Sequence, residues 1–130
     1  MANKIIQLKD GSDNLYPASP NVVDISSQFT TGAGGGETTI YATYNPMTRI
    51  VSVSMALWNC TSNITTSTNL TTAPSGYRPS ATINFPMMVY VNTGSGIWIT
   101  SFGGINSSGQ IRQGGSNLCR GCYFTASYQI

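Results

Sequence analysis

Cys119-Arg-Gly-Cys122 is the one stretch of this chain that matches a reactive pattern. Such a pair supports thiol–disulfide exchange between a strand and a helix, or holds structural zinc when a second pair of ligands is present. The only other thiol is Cys60, and the chain has no histidine. A three-thiolate site is rare, so Cys60, Cys119 and Cys122 read as small hydrophobes in a reducing compartment, with no metal and no cofactor expected. Trp58 and Trp98 offer a different chemistry. Each falls on the opposite parity to its apolar strand neighbours, Leu57 for one and Ile97 and Ile99 for the other. An indole on a small, polar face is a platform for a sugar ring, its N–H free to bond a hydroxyl. Arg112, near the loop at 106–109, can bond hydroxyls or an acidic sugar. Trp58, Trp98 and Arg112 are therefore the candidates for saccharide contact. The alternatives are packing under a loop or in a subunit contact for the indoles, and a solvated charge for the arginine.

The charges argue against catalysis. Only 8% of the 130 residues are charged, against about 25% in average soluble domains. Both lysines and all four carboxylates (Asp10, Asp13, Asp24 and Glu37) precede Thr38, after which Arg49, Arg78, Arg112 and Arg120 are the only charges. Without histidine no Ser-His-Asp triad can form, and without carboxylates in the body neither a glycosidase pair nor an acidic calcium cage can. No catalytic residue is expected, and the chain reads as a non-enzyme. The net charge of +2 includes no basic block, so nucleic acid is not an expected partner. The apolar runs are a few residues long, which excludes helical membrane insertion, and the opening residues lack the apolar region of a conventional secretion signal. Gly103-Gly104 and Gly114-Gly115 lack the strand–loop–helix context of a phosphate cradle and read as turns and bulges.

The elements that position these residues are strands. Val51–Leu57 alternates apolar and small polar residues, with Val51, Val53, Met55 and Leu57 on one face. Thr38–Tyr44 is β-branched and aromatic, and Asn45-Pro-Met-Thr48 makes 38–57 a hairpin. A weaker strand is expected over Val22–Phe29, a glycine loop at 31–36, and a long exposed connection at 59–75. Further strands are expected over 81–85, 87–91, 97–102 and 110–113. The last runs from Cys122 to Ile130, with Cys122, Phe124, Ala126, Tyr128 and Ile130 sharing a face. This pattern implies an all-β, antiparallel sandwich or barrel over residues 21–130. Residues 1–20 read as a separate N-terminal arm, in which Ile5, Ile6, Leu8, Leu15, Tyr16 and Pro17 supply apolar docking contacts. An edge strand paired with the body would suit the same residues.

Two segments carry a resemblance. Lys4-Ile-Ile-Gln-Leu-Lys-Asp-Gly-Ser-Asp-Asn-Leu-Tyr-Pro17 resembles the N-termini of bacteriophage minor structural and fibre proteins. Leu70-Thr-Thr-Ala-Pro-Ser-Gly76-Tyr77-Arg78-Pro79-Ser80 resembles the Leu-Pro-x-Gly-Tyr-Arg-Pro signature in head domains of phage tail-fibre and receptor-binding proteins. Gly104-Ile105, Gly109-Gln-Ile111 and Ser127-Tyr128 follow in the order those domains show, so the likeness spans most of 1–20 and 38–130. It implies a jelly-roll-like knob, assembled as a homotrimer on the virion after synthesis in the host cytoplasm, often recognising host-surface polysaccharide. In that frame Gly76, Tyr77, Arg78 and Pro79 are structural, and the arm docks onto a capsid, baseplate or tail protein. The chain departs from the pattern in lacking a stalk and in having Ala73 ahead of Pro74. The alternative is a capsid head-fibre or decoration protein with no receptor activity.

Overall fold

The computed structural model describes residues 21–31, 33–91, 96–115 and 118–130, and the strands at 7–9 and 15–17. Strands β1 (Gln7–Lys9) and β2 (Leu15–Pro17) pair antiparallel, Leu8 opposite Tyr16, in a two-stranded sheet of their own. Leu8, Leu15, Tyr16 and Pro17 lie on this hairpin; Ile5 and Ile6 fall outside the described residues.

Nine further strands form one antiparallel sheet. They are β3 (Val23–Asp24), β4 (Thr30–Thr31), β5 (Glu37–Asn45), β6 (Ile50–Trp58), β7 (Thr71–Thr72), β8 (Ile83–Val91), β9 (Ile97–Ile105), β10 (Gln110–Gln113) and β11 (Gly121–Gln129). Their spatial order is β3-β5-β6-β11-β8-β9-β10-β7-β4. Within it, β8, β9 and β10 follow one another and β11 returns beside β8, which is a Greek key. The fold is the expected all-β, jelly-roll-like one, realised as a single curled sheet. Its edge strands β3 and β4 are joined by a short link containing a 3-10 turn at Ser26–Gln28. Six Cα steps reach at most about 20 Å, so the edges must turn towards each other, as in a half-barrel. Ile25 and Phe29 of that link are buried in the core.

The curl has a specific hinge. β11 pairs with β6 from Cys122 to Gln129, but with β8 only from Gly121 to Tyr123. Beyond that point β11 and β8 separate, and core side chains fill the gap, with the Phe85 and Phe124 rings 4.8 Å apart. Pro86 explains why the two strands predicted over 81–91 are one. It pairs opposite Phe102 on the β9 side, while the β11 ladder has already stopped at Met88, so its missing N–H breaks no continuous two-sided pairing.

The splayed end is closed by the Gly76-Tyr77-Arg78-Pro79 segment. A 3-10 turn at Ser75–Tyr77 sets the Tyr77 ring 5.0 Å from Tyr44, edge on. The Tyr128 hydroxyl donates to the Tyr77 carbonyl at 2.7 Å, and Arg78 Nε donates to the Ala73 carbonyl at 3.0 Å.

Two expectations are corrected. The weak strand over 22–29 is two residues of strand and a 3-10 turn, because Ile25 and Phe29 turn inward to plug the core. The connection at 59–75 is not exposed along its length: Ile64, Leu70 and Ala73 are fully buried. Its backbone is tied down by reciprocal bonds between Ile64 and Cys119 and by the Gln113 amide on the Ile64 carbonyl at 2.8 Å. The apolar residues there have no regular period, so alternation could not reveal them. Ile64→Ala is accordingly expected to cost about 2–5 kcal/mol, read as a lower urea midpoint; a loss near zero would return the segment to the surface.

Candidate functional site

With Val51, Val53, Met55 and Leu57 in the core, alternation sends Ser52, Ser54, Ala56 and Trp58 outward from β6. On β11, Tyr123 points outward between Ala56 of β6 and Met88 of β8. Trp98 stands opposite Tyr90 in the β8–β9 pair, and Tyr90 stands opposite Gly121. Trp58 and Trp98 therefore arise from strands that have β11 and β8 between them, a separation of about 14 Å at roughly 4.8 Å per strand.

Their side chains close that distance because Gly121 lies beneath and contributes none. A Cβ at Gly121 would stand 2.8 Å from the Leu57 carbonyl oxygen and 3.6 Å from the Trp98 indole. Trp58 and Trp98 consequently meet edge to face, ring centroids 5.0 Å apart at 72°. Tyr90 and Tyr123 lie 5.3 and 5.5 Å from Trp98, and Tyr123 lies nearly parallel to Trp58 at 6.4 Å. Trp58 and Tyr123 keep 41% and 43% of their surface exposed, so the cluster is a shelf rather than a core.

Recesses flank the shelf. One of about 220 Å³ lies between Trp58, Asn59, Tyr90, Trp98 and Arg120, and another of about 390 Å³ lies over Thr39, Tyr41, Ser54, Trp58 and Tyr123. Both are open and shallow, suited to a ring laid on an aromatic face. Arg120 is fixed at the rim: Nε donates to Asn63 Oδ1 at 2.8 Å, Nη1 to the Cys60 carbonyl at 3.3 Å, and its backbone N–H to the Tyr90 carbonyl at 2.9 Å.

The structure brings together two of the three residues named for saccharide contact. Arg112 stands apart on β10, in a separate recess with Asn84 and Phe102. Tyr90, Tyr123, Arg120 and Gly121 join the site without having been singled out from sequence. Alternation along β11 was a signal that could have marked Tyr123 as outward, but its neighbours depended on the register of β11 against β6. Gly103-Gly104 are neither turn nor bulge; they lie in β9 in regular register. A Cβ at Gly103 would stand 2.4 Å from Met87 Cε and 3.0 Å from the Arg112 carbonyl oxygen, and one at Gly104 would stand 2.8 Å from Asn84 Oδ1, so a side chain at either would require its neighbours to shift.

The thiols lie behind the shelf. Cys60, Cys119 and Cys122 are free and buried. Burial pushes all three thiol pKa values up, Cys122 to about 12, which keeps them protonated and weakly nucleophilic. Burial also lifts the Tyr128 phenol to about 12. No family model matches this chain, and no curated protein matches it.

Two outcomes follow from this geometry. Raised acid pKa values stabilise the fold fully below the unfolded-state values, and the contribution is lost as pH climbs towards the folded ones. Stability should therefore hold through neutral pH and fall between pH 9 and 12 as Cys122 and Tyr128 ionise, measured as the urea midpoint against pH. The Trp58–Trp98 contact should give an exciton couplet in circular dichroism, abolished in Trp98→Phe with the fold intact. A couplet surviving that substitution would place its origin elsewhere.

Proposed function

We propose that this chain is the knob of a bacteriophage virion appendage, a non-enzymatic homotrimer that docks through residues 1–20 and contacts host-surface saccharide over the aromatic shelf. The observation that carries the saccharide contact is the meeting of Trp58, Trp98, Tyr90 and Tyr123 on the outer sheet face, half open to solvent. Aromatic faces stack on the C–H faces of sugar rings, while an indole N–H and the Arg120 and Asn59 side chains at the rim bond hydroxyls. The virion setting rests on the resemblance of the opening segment and of Leu70–Ser80 to phage fibre proteins.

The surface beside the shelf supports self-association. Across β5, β6 and β11 the outward rows are Thr39-Ala56-Tyr123, Tyr41-Ser54-Thr125 and Thr43-Ser52-Ser127. No charge stands among them, and hydroxyl pairs satisfy one another, Ser52 with Ser127 at 2.9 Å and Ser54 with Thr125 at 3.2 Å. A second copy can approach such a face without stranding a buried charge.

The test joins a glycan array to light scattering and to analysis of purified particles. The expected result is a trimer, present on particles, whose binding to a surface saccharide falls about tenfold or more in Trp98→Ala. A trimer on particles that binds no glycan leaves the capsid-decoration alternative in place and removes receptor contact. A monomer absent from particles overturns the whole reading.

A further inference from the structure

A second recess, chemically unlike the shelf, opens on the outer face of β8, β9 and β10. Its position follows from the register. Arg112 of β10 stands opposite Gly104 of β9, and Gly104 stands opposite Asn84 of β8. A row of three outward positions thus has a side chain at each end and none in the middle. The gap is a hollow of about 200 Å³, walled by Arg112, Asn84, Asn106, Gln110 and Phe102. Phe102 is half exposed, and its ring covers Gly114, whose Cβ would collide with it at 2.0 Å. One wall is therefore apolar and the others are polar.

Within this hollow the Arg112 guanidinium is only partly satisfied. Nη2 donates to Gln110 Oε1 at 3.1 Å, and the same oxygen accepts from Asn106 Nδ2 at 3.1 Å. Gln110 is thereby held with its oxygen towards the arginine. The Nε–H is buried and meets no acceptor. Leaving such a donor unmet costs about 1–3 kcal/mol, more when it belongs to a charged group. Among the described residues no carboxylate is seen to neutralise it: Asp24 Oδ1 accepts from the Ser26 N–H, and Glu37 stands opposite Trp58 on β5. Guanidinium recognises planar or tetrahedral oxyanions through paired N–H donors, and the remaining amides can take up neighbouring hydroxyls.

We propose that the recess over Gly104 is a binding site for a small oxyanion, a carboxylate or a phosphate monoester, held by the Arg112 guanidinium with Asn84 and Phe102 as the flanking walls. The site is separate from the aromatic shelf, and its chemistry does not depend on where the protein is assembled. An anion there supplies the counter-charge that the guanidinium lacks.

The experiment is amide and arginine side-chain NMR on the full chain at constant ionic strength in chloride. Inorganic phosphate is titrated in one arm and glucuronate in the other. Saturable shifts of the Arg112 Nε–H, Gly104 and Asn84 signals are expected, while Arg120 Nε–H, already bonded to Asn63, stays still. Phosphate alone, glucuronate alone or both shifting these signals identifies the oxyanion class and supports the site. Arg112→Gln should weaken binding about tenfold or more. Gly104→Ala, which sets a methyl group into the hollow against Asn84 Oδ1 and retains the guanidinium, should weaken it too. If neither anion moves the signals, or affinity survives in both variants, the proposal is overturned.

Discussion

The partial pairing of β11 with β8 is the constraint on which the rest of the structure depends. Eight residue pairs bind β11 to β6, and three bind it to β8. A sheet fully paired across that junction would present a flat, continuous apolar face with nothing to cover it. Opening the ladder lets the two halves fold over a common core, where Phe124 and Phe85 meet and Met55, Leu57, Met87 and Val89 are withdrawn from water. Each such side chain contributes about 1.5–3 kcal/mol when fully buried. The opened end then needs a cover, which the Tyr77 turn provides through Tyr44 and the Tyr128 hydroxyl.

Where the ladder remains closed, the four strands β6, β11, β8 and β9 run side by side, and this stretch carries the aromatic shelf. The geometry at Gly121 is tied to both roles. It is the first residue of β11 and part of the short pairing with β8, and its missing side chain lets two indoles lean together. Gly104 repeats the device on the β8–β9–β10 face with polar neighbours. In each case a strand glycine gives up β propensity, and the neighbours it separates define a recess. The two recesses differ because one row is flanked by aromatic rings and the other by amides and a guanidinium.

Scarcity of charge shapes the remaining surface. In the middle rows of the outer face of β5, β6 and β11 hydroxyls bond across strands, so this part of the face is wettable without being charged, and Glu37 stands at its end opposite Trp58. Against that background an arginine is conspicuous. Arg78 is used inside the fold on the Ala73 carbonyl, and Arg120 is braced at the shelf by Asn63 and the Cys60 carbonyl. Arg112 is braced on one side only, which sets its recess apart.

The all-β class, the hairpin at 38–57 and the inward faces of β6 and β11 were legible in the sequence, because strict alternation has a single physical solution when one face is buried. The absence of histidine and of carboxylates after Glu37 likewise bounded the chemistry without any coordinates. Ile64, Leu70 and Ala73 were not legible as core, since irregular segments bury residues by tertiary fit rather than by period. Nor was the shelf: Trp58 and Trp98 were visible as outward residues, but forty positions of chain separate them. Their contact exists only because β11, the last strand, inserts between β6 and β8 and brings a glycine to the point where the rings meet. Alternation assigns a side chain to a face, and that much is local. Which side chains share the face is decided by strand order and register, which are properties of the whole chain folded on itself.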